Sequence, residues 1–190
     1  WKNFYSNGVQ GGIAPVAAGM ALAEKAKGSQ AATLAFLGDG TLGEGVLYEA
    51  LNLSSLWHAP LLFVLENNRI AQTTPLELAL AGEIAPRFEA FGIPCTVLDT
   101  SDVEHIRAAA QPLLAQVRDG SGPQALLLHT RRFGPHSKGD DTRDPQEVEA
   151  LKRTRDPLPI QAARLAPLVR DRIHREVEAE IAAAFAQALA

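Results

Sequence analysis

The chain has 190 residues, of which 18 are Lys or Arg and 22 are Asp or Glu, so its net charge is −4 at pH 7. This acidic balance argues against a nucleic-acid binder, and a hydrophobic fraction of 46% excludes intrinsic disorder. Cys95 is the single cysteine, which excludes an internal disulfide and a multi-thiolate metal site and favours a cytoplasmic location. The longest apolar stretch, residues 13–23, is too short to span a bilayer, so we expect no membrane segment.

The first predicted elements are a helix and a β-α-β unit. The small residues of 13–27 predict a tightly packed helix that Gly28 closes. The continuous apolar runs 33–37 and 61–65 predict strands of a parallel sheet that are buried on both faces. Between them, residues 44–57 carry apolar side chains at close to helical spacing, which predicts the crossover helix.

The same alternation continues along the chain. We predict helices over 83–91 and 103–117, the second capped by Ser101 or Asp102, and strands over 95–98 and 125–129. Residues 1–145 are therefore predicted to form an α/β domain with a mainly parallel sheet and helices on both faces. Residues 146–190 are predicted to be a helical extension of that domain, with apolar residues mostly four apart. This stripe must pack either on its own sheet or at a subunit interface, and the sequence leaves both open.

Side chains rich in oxygen follow two of the predicted strands. Gly38-Asp39-Gly40 follows the first, and Asn67-Asn68 follows the second after a further 26 residues. Because ligands bind outside the carboxyl ends of parallel strands, we expect these groups to meet at one edge. A carboxylate and a carboxamide suit Mg²⁺, which completes its shell with water and phosphate oxygens. The pattern therefore predicts a bound diphosphate, to which the backbone amides of Gly40 and Thr41 would donate.

This spacing resembles the thiamine diphosphate fingerprint shared by transketolases, decarboxylases and 2-oxo acid dehydrogenases, which implies the thiamine diphosphate-binding fold. The match extends over residues 4–15, 49–57, 66–69 and 132–141. On these residues the chain resembles the α subunit of the decarboxylating component of a 2-oxo acid dehydrogenase complex, of the pyruvate or branched-chain type. Such subunits carry a further N-terminal segment, absent from this sequence; because it begins at Trp1 rather than Met, we expect additional residues upstream.

The resemblance implies roles for the matching residues in holding thiamine diphosphate and Mg²⁺. The magnesium ligands would be Asp39, the side chain of Asn68 and the backbone carbonyl of Ile70, and the residues along the diphosphate would be Gly38, Gly40 and Thr41. Main chain at Gly8 and Gln10 would contact the aminopyrimidine ring.

One loop residue is expected to take part in the chemistry. The resemblance implies that His136 is the loop histidine that reaches the cofactor and the reacting carbonyl. A histidine on a mobile loop can donate a proton to, or accept one from, an oxygen on which charge develops. Ser137, beside it, matches a serine that is phosphorylated in mitochondrial members, and we interpret it here as an ordinary loop serine.

The resemblance also implies that this chain supplies only half of an active site. A β subunit would provide the glutamate that activates the aminopyrimidine, in an α2β2 heterotetramer that passes the acyl group to a lipoyl domain or another acyl carrier protein. A second hypothesis is a transketolase-like enzyme that transfers a two-carbon unit from a ketose phosphate to a carrier-protein thiol or other acceptor. Glu44 favours it, because pyruvate-type subunits tend to have an amide there. A third, a scaffold without cofactor, is opposed by the intact Asp39 and Asn68.

Overall fold

The computed structural model describes residues 3–137 and 139–189. Its strands are β1 Thr33–Gly38, β2 Leu61–Asn67, β3 Ile70–Ala71, β4 Thr74–Pro75, β5 Cys95–Leu98 and β6 Gln124–His129. Its helices are α1 Ile13–Ala26, α2 Gly45–Leu56, α3 Leu76–Ala79, α4 Ala85–Glu89, α5 Val103–Arg118, α6 Pro145–Arg155, α7 Pro157–Ala162 and α8 Pro167–Leu189, with a 3₁₀ helix over Asp39–Gly43. Four strands form a parallel sheet in the order β1-β2-β6-β5. The α/β class and the parallel sheet are thus confirmed.

The β1-α2-β2 unit and the preceding helix follow the sequence prediction closely. In α1, alanines such as Ala14 and Ala21 are fully buried, so the helix backbone approaches the sheet and α2 at short range. After α1 ends, Gly28 has a φ of +68°, a left-handed conformation that glycine adopts without strain. Helices α1 and α2 cover one face of the sheet, where Phe63 and Leu65 form the centre of the main core.

Helix α5 covers the opposite face, and its start is fixed by a predicted cap. The Asp102 carboxylate accepts hydrogen bonds from the backbone amides of Glu104 and His105. From α5, Leu113 and Val117 pack against inward residues of β2 and β6 in a second core cluster. Helices therefore lie on both faces of the sheet, as predicted.

Strand β1 corrects one expectation, because it is not buried on both faces. Leu34 is 41% exposed and Phe36 is 61% exposed, whereas Ala35 and Leu37 are buried. Helix α5 packs on β2 and β6 and does not extend across the edge strand β1. An apolar run predicts a strand, but it does not tell how much of the strand its neighbours cover.

The segment between β2 and β5 also differs from the prediction of one helix over 83–91. The structure has the β3-β4 hairpin, the four-residue α3 and the five-residue α4. Pro86 lies in the first turn of α4, where its missing amide is tolerated, but it disfavours a helix that starts earlier in the predicted range. The segment is held in place instead by the burial of Ile84 and Phe88 in the main core.

Ion pairs attach α6 and the segment after α7 to the residues between β5 and α5. Arg155 at the end of α6 pairs with Asp99, and Arg164 after α7 pairs with Asp102. In α8 no residue is buried, and its apolar stripe, including Phe185, is exposed. Of the two alternatives for this stripe, the expectation that it packs on its own sheet is therefore wrong. Among the helices described, none combines the length and apolar character needed to cross a membrane.

Candidate functional site

The Gly-Asp-Gly turn lies where the sequence predicted, directly after β1 at the carboxyl edge of the sheet. Gly38 pairs in register with Glu66 of β2, so Asp39 begins its 3₁₀ helix beside the end of the neighbouring strand. A Cβ atom on Gly40 would lie 3.2 Å from the Cβ of Ala71 in β3, closer than most such contacts. The turn after β1 and the turn after β2 are therefore brought into contact.

Asp39 has the most distinctive electrostatic environment of this edge. Its side chain is 5% exposed, and its Oδ1 accepts a hydrogen bond from the backbone amide of Gly40 at 3.1 Å. Its Oδ2 is buried and has no hydrogen-bond partner among the described residues. Burial raises the pKa of this carboxyl group, although the backbone amides of Gly40 and Arg69 and the charge of Arg132 oppose the rise. A cation at Oδ2 would compensate for this costly burial.

The two asparagines after β2 take different positions. Asn67 is 2% exposed, and its Oδ1 accepts a hydrogen bond from the backbone amide of Arg69 at 2.9 Å. Asn68 is only partly buried, and its Oδ1 accepts from the backbone amide of Ile70 at 3.0 Å. Arg69 has a φ of +68°, which turns the chain sharply between these residues. Asn68, and not Asn67, thus offers an accessible carboxamide next to the Ile70 carbonyl.

Residues from the N-terminal segment join the same edge. The Thr41 hydroxyl donates a hydrogen bond to Oε1 of Gln10 at 2.9 Å, and the Thr41 side chain is buried. Gly11 has a φ of +75°, and a Cβ atom there would lie 2.8 Å from the Cβ of Glu44. Gly8 is exposed, and a Cβ on it would meet no atom within 4 Å, so its main chain is accessible. The sequence analysis identified Gly8 and Gln10 but missed the tightly packed Gly11.

His136 lies on the loop after β6. Its Nδ1 is 2.8 Å from the Ser137 hydroxyl oxygen and 3.7 Å from a carboxylate oxygen of Asp140, and its side chain is about half exposed. Both contacts stay within the loop, and among the described residues no hydrogen bond or ion pair joins His136 to Asp39 or Asn68. The ring itself is accessible.

Two arginines that the sequence analysis overlooked fix the base of this loop. Arg143 forms an ion pair with Asp141 at 2.7 Å and donates hydrogen bonds to the backbone carbonyls of Arg132 and Gly134. Arg132 in turn donates to the carbonyl of Gln72, in the β3-β4 hairpin, at 2.9 Å. The loop that carries His136 therefore begins beside the two turns that follow β1 and β2.

A cleft of about 770 Å³ opens at the same edge, over β2, β6 and β5. Asn67, Arg69, Val97 and His129 are among its lining residues, whereas Asp39 is not. In the described part of the chain, no cluster of three or more His, Cys, Asp or Glu could hold a metal ion. A cation at this edge would therefore bind one carboxylate together with neutral oxygens, a donor set that fits Mg²⁺ completed by water and phosphate.

Comparison with known proteins gives independent evidence about the chain as a whole. A family model described as "Dehydrogenase E1 component" matches residues 2–190, which is nearly the whole chain. A pyruvate dehydrogenase E1 component subunit alpha from Zymomonas mobilis is 38% identical over 160 residues, covering 83% of this chain and 45% of that protein. The alpha subunit of an acetoin:2,6-dichlorophenolindophenol oxidoreductase from Cupriavidus necator is 34% identical, covering 97% and 58%. The chain spans about half the length of the curated relatives it matches.

The solved structures support the fold. An X-ray structure from Mycobacterium smegmatis, described as a thiamin diphosphate-dependent enzyme, aligns with a TM-score of 0.53 at 21% identity. The alignment covers 66% of this chain and 23% of that one. At this level of identity the likeness shows a shared fold, in agreement with the parallel sheet described above.

Proposed function

Since the chain belongs to the dehydrogenase E1 component family, we propose that it is the diphosphate and magnesium half of an active site, in the α subunit of a 2-oxo acid dehydrogenase. The observation that carries this proposal is the buried Oδ2 of Asp39, which lacks a partner among the described residues at the edge where Asn68 also lies. A desolvated carboxylate oxygen of this kind is costly unless a ligand uses it. The relatives' names favour this activity over a transketolase-like transfer.

In this proposal, Mg²⁺ binds to Asp39, to the side chain of Asn68 and to the backbone carbonyl of Ile70. The diphosphate lies along Gly38, Gly40 and Thr41, where main chain without a bulky side chain can approach it. These residues fit the group because they combine a buried carboxylate oxygen, which lacks a partner among the described residues, with neutral oxygens. Thiamine diphosphate, when bound, supplies the nucleophilic carbon and the electron sink for decarboxylation.

The Gln10 and Thr41 contact has a positioning role in the same proposal. The hydrogen bond between their side chains ties the N-terminal segment to the diphosphate turn. It leaves the main chain at Gly8 and Gln10 free to contact the aminopyrimidine ring. The buried Gly11 supports this arrangement because its packing against Glu44 fixes the segment over the start of α2.

His136 moves a proton in this proposal. Its ring is accessible on a loop whose base is fixed by Arg132 and Arg143. A histidine in this position can donate a proton to the oxygen of the substrate carbonyl as negative charge develops there, and accept that proton back when the carbonyl forms again. Since His136 takes no part in binding the metal, we assign it to catalysis rather than to cofactor affinity.

The proposal includes partners and a location. A β subunit supplies the glutamate that activates the aminopyrimidine, in an α2β2 heterotetramer, and a lipoyl domain or similar acyl carrier receives the acyl group. The exposed stripe of α8 supports an interface between subunits, because apolar side chains such as Ile181 and Phe185 have no cover within the described chain. A cytoplasmic location agrees with the single, free Cys95.

Reconstitution tests this function. The chain, in its full-length form, is purified alone and together with its copurified β subunit, and each sample is given pyruvate, a branched-chain 2-oxo acid or acetoin. Reduction of 2,6-dichlorophenolindophenol is followed with thiamine diphosphate and Mg²⁺ present. We expect turnover only by the assembly and its loss in Asp39→Asn, whereas Asp119→Asn, at an exposed aspartate just after α5, retains it. Turnover by the chain alone, or by the Asp39→Asn assembly at the wild-type rate, would contradict the proposal.

A further inference from the structure

The last residue of β6 contacts the turn that carries the proposed magnesium ligands. Asn67 and His129 are paired in register at the ends of β2 and β6. The side-chain Nδ2 of Asn67 lies 3.2 Å from Nδ1 of the His129 ring. His129 has no role in the site proposed above, although it lines the cleft beside it.

The hydrogen-bond pattern assigns a direction to this contact. Oδ1 of Asn67 accepts a hydrogen bond from the backbone amide of Arg69. The NH₂ group of the Asn67 side chain must therefore face the His129 ring. An amide nitrogen can only donate, and therefore Nδ1 of His129 accepts and the ring proton lies on Nε2. The side chain of Asn67 thus connects two elements: it accepts from the turn at Arg69 and donates to His129.

The turn that Asn67 restrains is the one that the magnesium site needs. Arg69 has a φ of +68°, a conformation that side-chain-bearing residues rarely adopt, and the hydrogen bond from its amide to Oδ1 of Asn67 helps to hold it. On either side of Arg69 lie the carboxamide of Asn68 and the carbonyl of Ile70. If the side chain of Asn67 lost its acceptor on β6, its buried amide would rotate to find another partner and release the Arg69 amide.

His129 is itself held from the other side. Its backbone carbonyl accepts a hydrogen bond from Arg155 at 2.9 Å, and the same guanidinium pairs with Asp99. The backbone amide of Thr130 donates to the carbonyl of Asn67 at 2.9 Å, which keeps the two strand ends together. The ring therefore projects from a fixed junction between β2, β6 and α6 and can act as a rigid support.

We propose that His129 is a positioning residue for the metal site: it accepts the hydrogen bond of Asn67 and so holds the turn that presents Asn68 and Ile70 to Mg²⁺. This inference rests on the proposed function. Groups that orient metal ligands without touching the metal commonly change metal affinity by about 10- to 100-fold when they are removed. The acceptor role predicts that this change depends on a hydrogen-bond acceptor at position 129, whereas a histidine that merely filled the cleft would show no such dependence.

The test uses the assembled enzyme and measures Mg²⁺ affinity rather than turnover. Calorimetric titration of Mg²⁺ at saturating thiamine diphosphate compares the wild type with His129→Ala, which removes the acceptor, and His129→Gln, which retains an acceptor oxygen. His105→Ala, on the exposed surface of α5, is the matched control. We expect His129→Ala to weaken Mg²⁺ binding by about tenfold or more, with His129→Gln and the control staying within about threefold of wild type.

The outcomes separate this inference from the proposed function. If Asp39→Asn abolishes Mg²⁺ binding while His129→Ala binds Mg²⁺ as the wild type does, the positioning role is wrong and the proposed function stands. If His129→Ala and His129→Gln weaken binding equally, the histidine fills space and does not act as an acceptor, which also overturns the inference. If Asp39→Asn binds Mg²⁺ normally, the proposed function itself fails.

Discussion

Gly11 offers a perturbation whose size follows from the structure. Its φ of +75° is left-handed, a conformation that costs a residue with a Cβ atom about 1–2 kcal/mol. In Gly11→Ala the new Cβ would also lie 2.8 Å from the Cβ of Glu44 and 3.0 Å from Cγ1 of Val46. Overpacking of this kind adds about 1–3 kcal/mol. We therefore expect Gly11→Ala to lower the free energy of unfolding by about 2–5 kcal/mol, the sum of these two contributions.

Gly28→Ala is the matched control, because it isolates the backbone contribution. Gly28 has a φ of +68°, but a Cβ atom there would meet nothing within 4 Å. Its replacement should cost only the conformational part, about 1–2 kcal/mol. The difference between the two variants then measures the packing of the N-terminal segment against the start of α2.

Urea unfolding followed by circular dichroism provides the measurement, with the midpoint shift converted through a common slope. A second readout is thiamine diphosphate affinity in the assembled enzyme, which Gly11→Ala should weaken because it displaces the adjacent Gln10 from Thr41. Gly28→Ala, at the far end of α1, should leave that affinity unchanged. Equal destabilisation by the two variants would refute the packing argument.

Three further predictions concern a thiol, an ion pair and the loop that carries His136. Burial raises the pKa of Cys95 to about 11 from 9.0, so at pH 8 its alkylation by iodoacetamide should be about 100-fold slower in the folded than in the unfolded chain; similar rates would show that the thiol is accessible. Arg143 lowers the pKa of Asp141 from 3.8 to about 2, so the stabilisation from their pair is complete above pH 4 and is lost as the pH falls through 2; a carboxyl titration by NMR that stays near 3.8 would contradict this pairing. His136→Ala should keep cofactor affinity within a few fold and lower turnover by about 10²-fold or more, and cleavage by trypsin near Arg143 should slow when thiamine diphosphate and Mg²⁺ order the loop in the assembly. Wild-type turnover, or an unchanged cleavage rate, would show that His136 is an ordinary loop residue.

The sequence predicted the position of Asp39 and Asn68 because one general rule connects chain order to space. Parallel strands end at a common edge, so residues that follow adjacent strands lie near each other whatever the details of packing. The N-cap at Asp102 could also be predicted from the sequence, because the carboxylate and the two backbone amides that donate to it lie within three residues of each other. Local signals of this kind can be recognised in the sequence without knowledge of the tertiary structure.

Other features depend on contacts between distant parts of the chain. The exposed face of Phe36 reflects which strands α5 reaches, and the short helix α4 is held by the burial of Phe88 rather than by its own periodicity. Arg132 contacts Gln72 across 60 positions of sequence, so no local pattern marks it as part of the loop base. His129 likewise reads as the polar end of a strand until its neighbour Asn67 is known.

Anomalous diffraction from Mn²⁺, soaked in place of Mg²⁺ into crystals of the assembled enzyme with thiamine diphosphate, would locate the metal site itself. We expect one strong manganese peak at the carboxyl edge of the sheet, in contact with Oδ2 of Asp39, which has no partner among the described residues, with Oδ1 of Asn68 and with the carbonyl of Ile70. The distances to these oxygens should be those of an octahedral divalent cation, about 2.1 Å. A manganese peak at any other place, with no metal in contact with Oδ2 of Asp39, would contradict the proposed magnesium site.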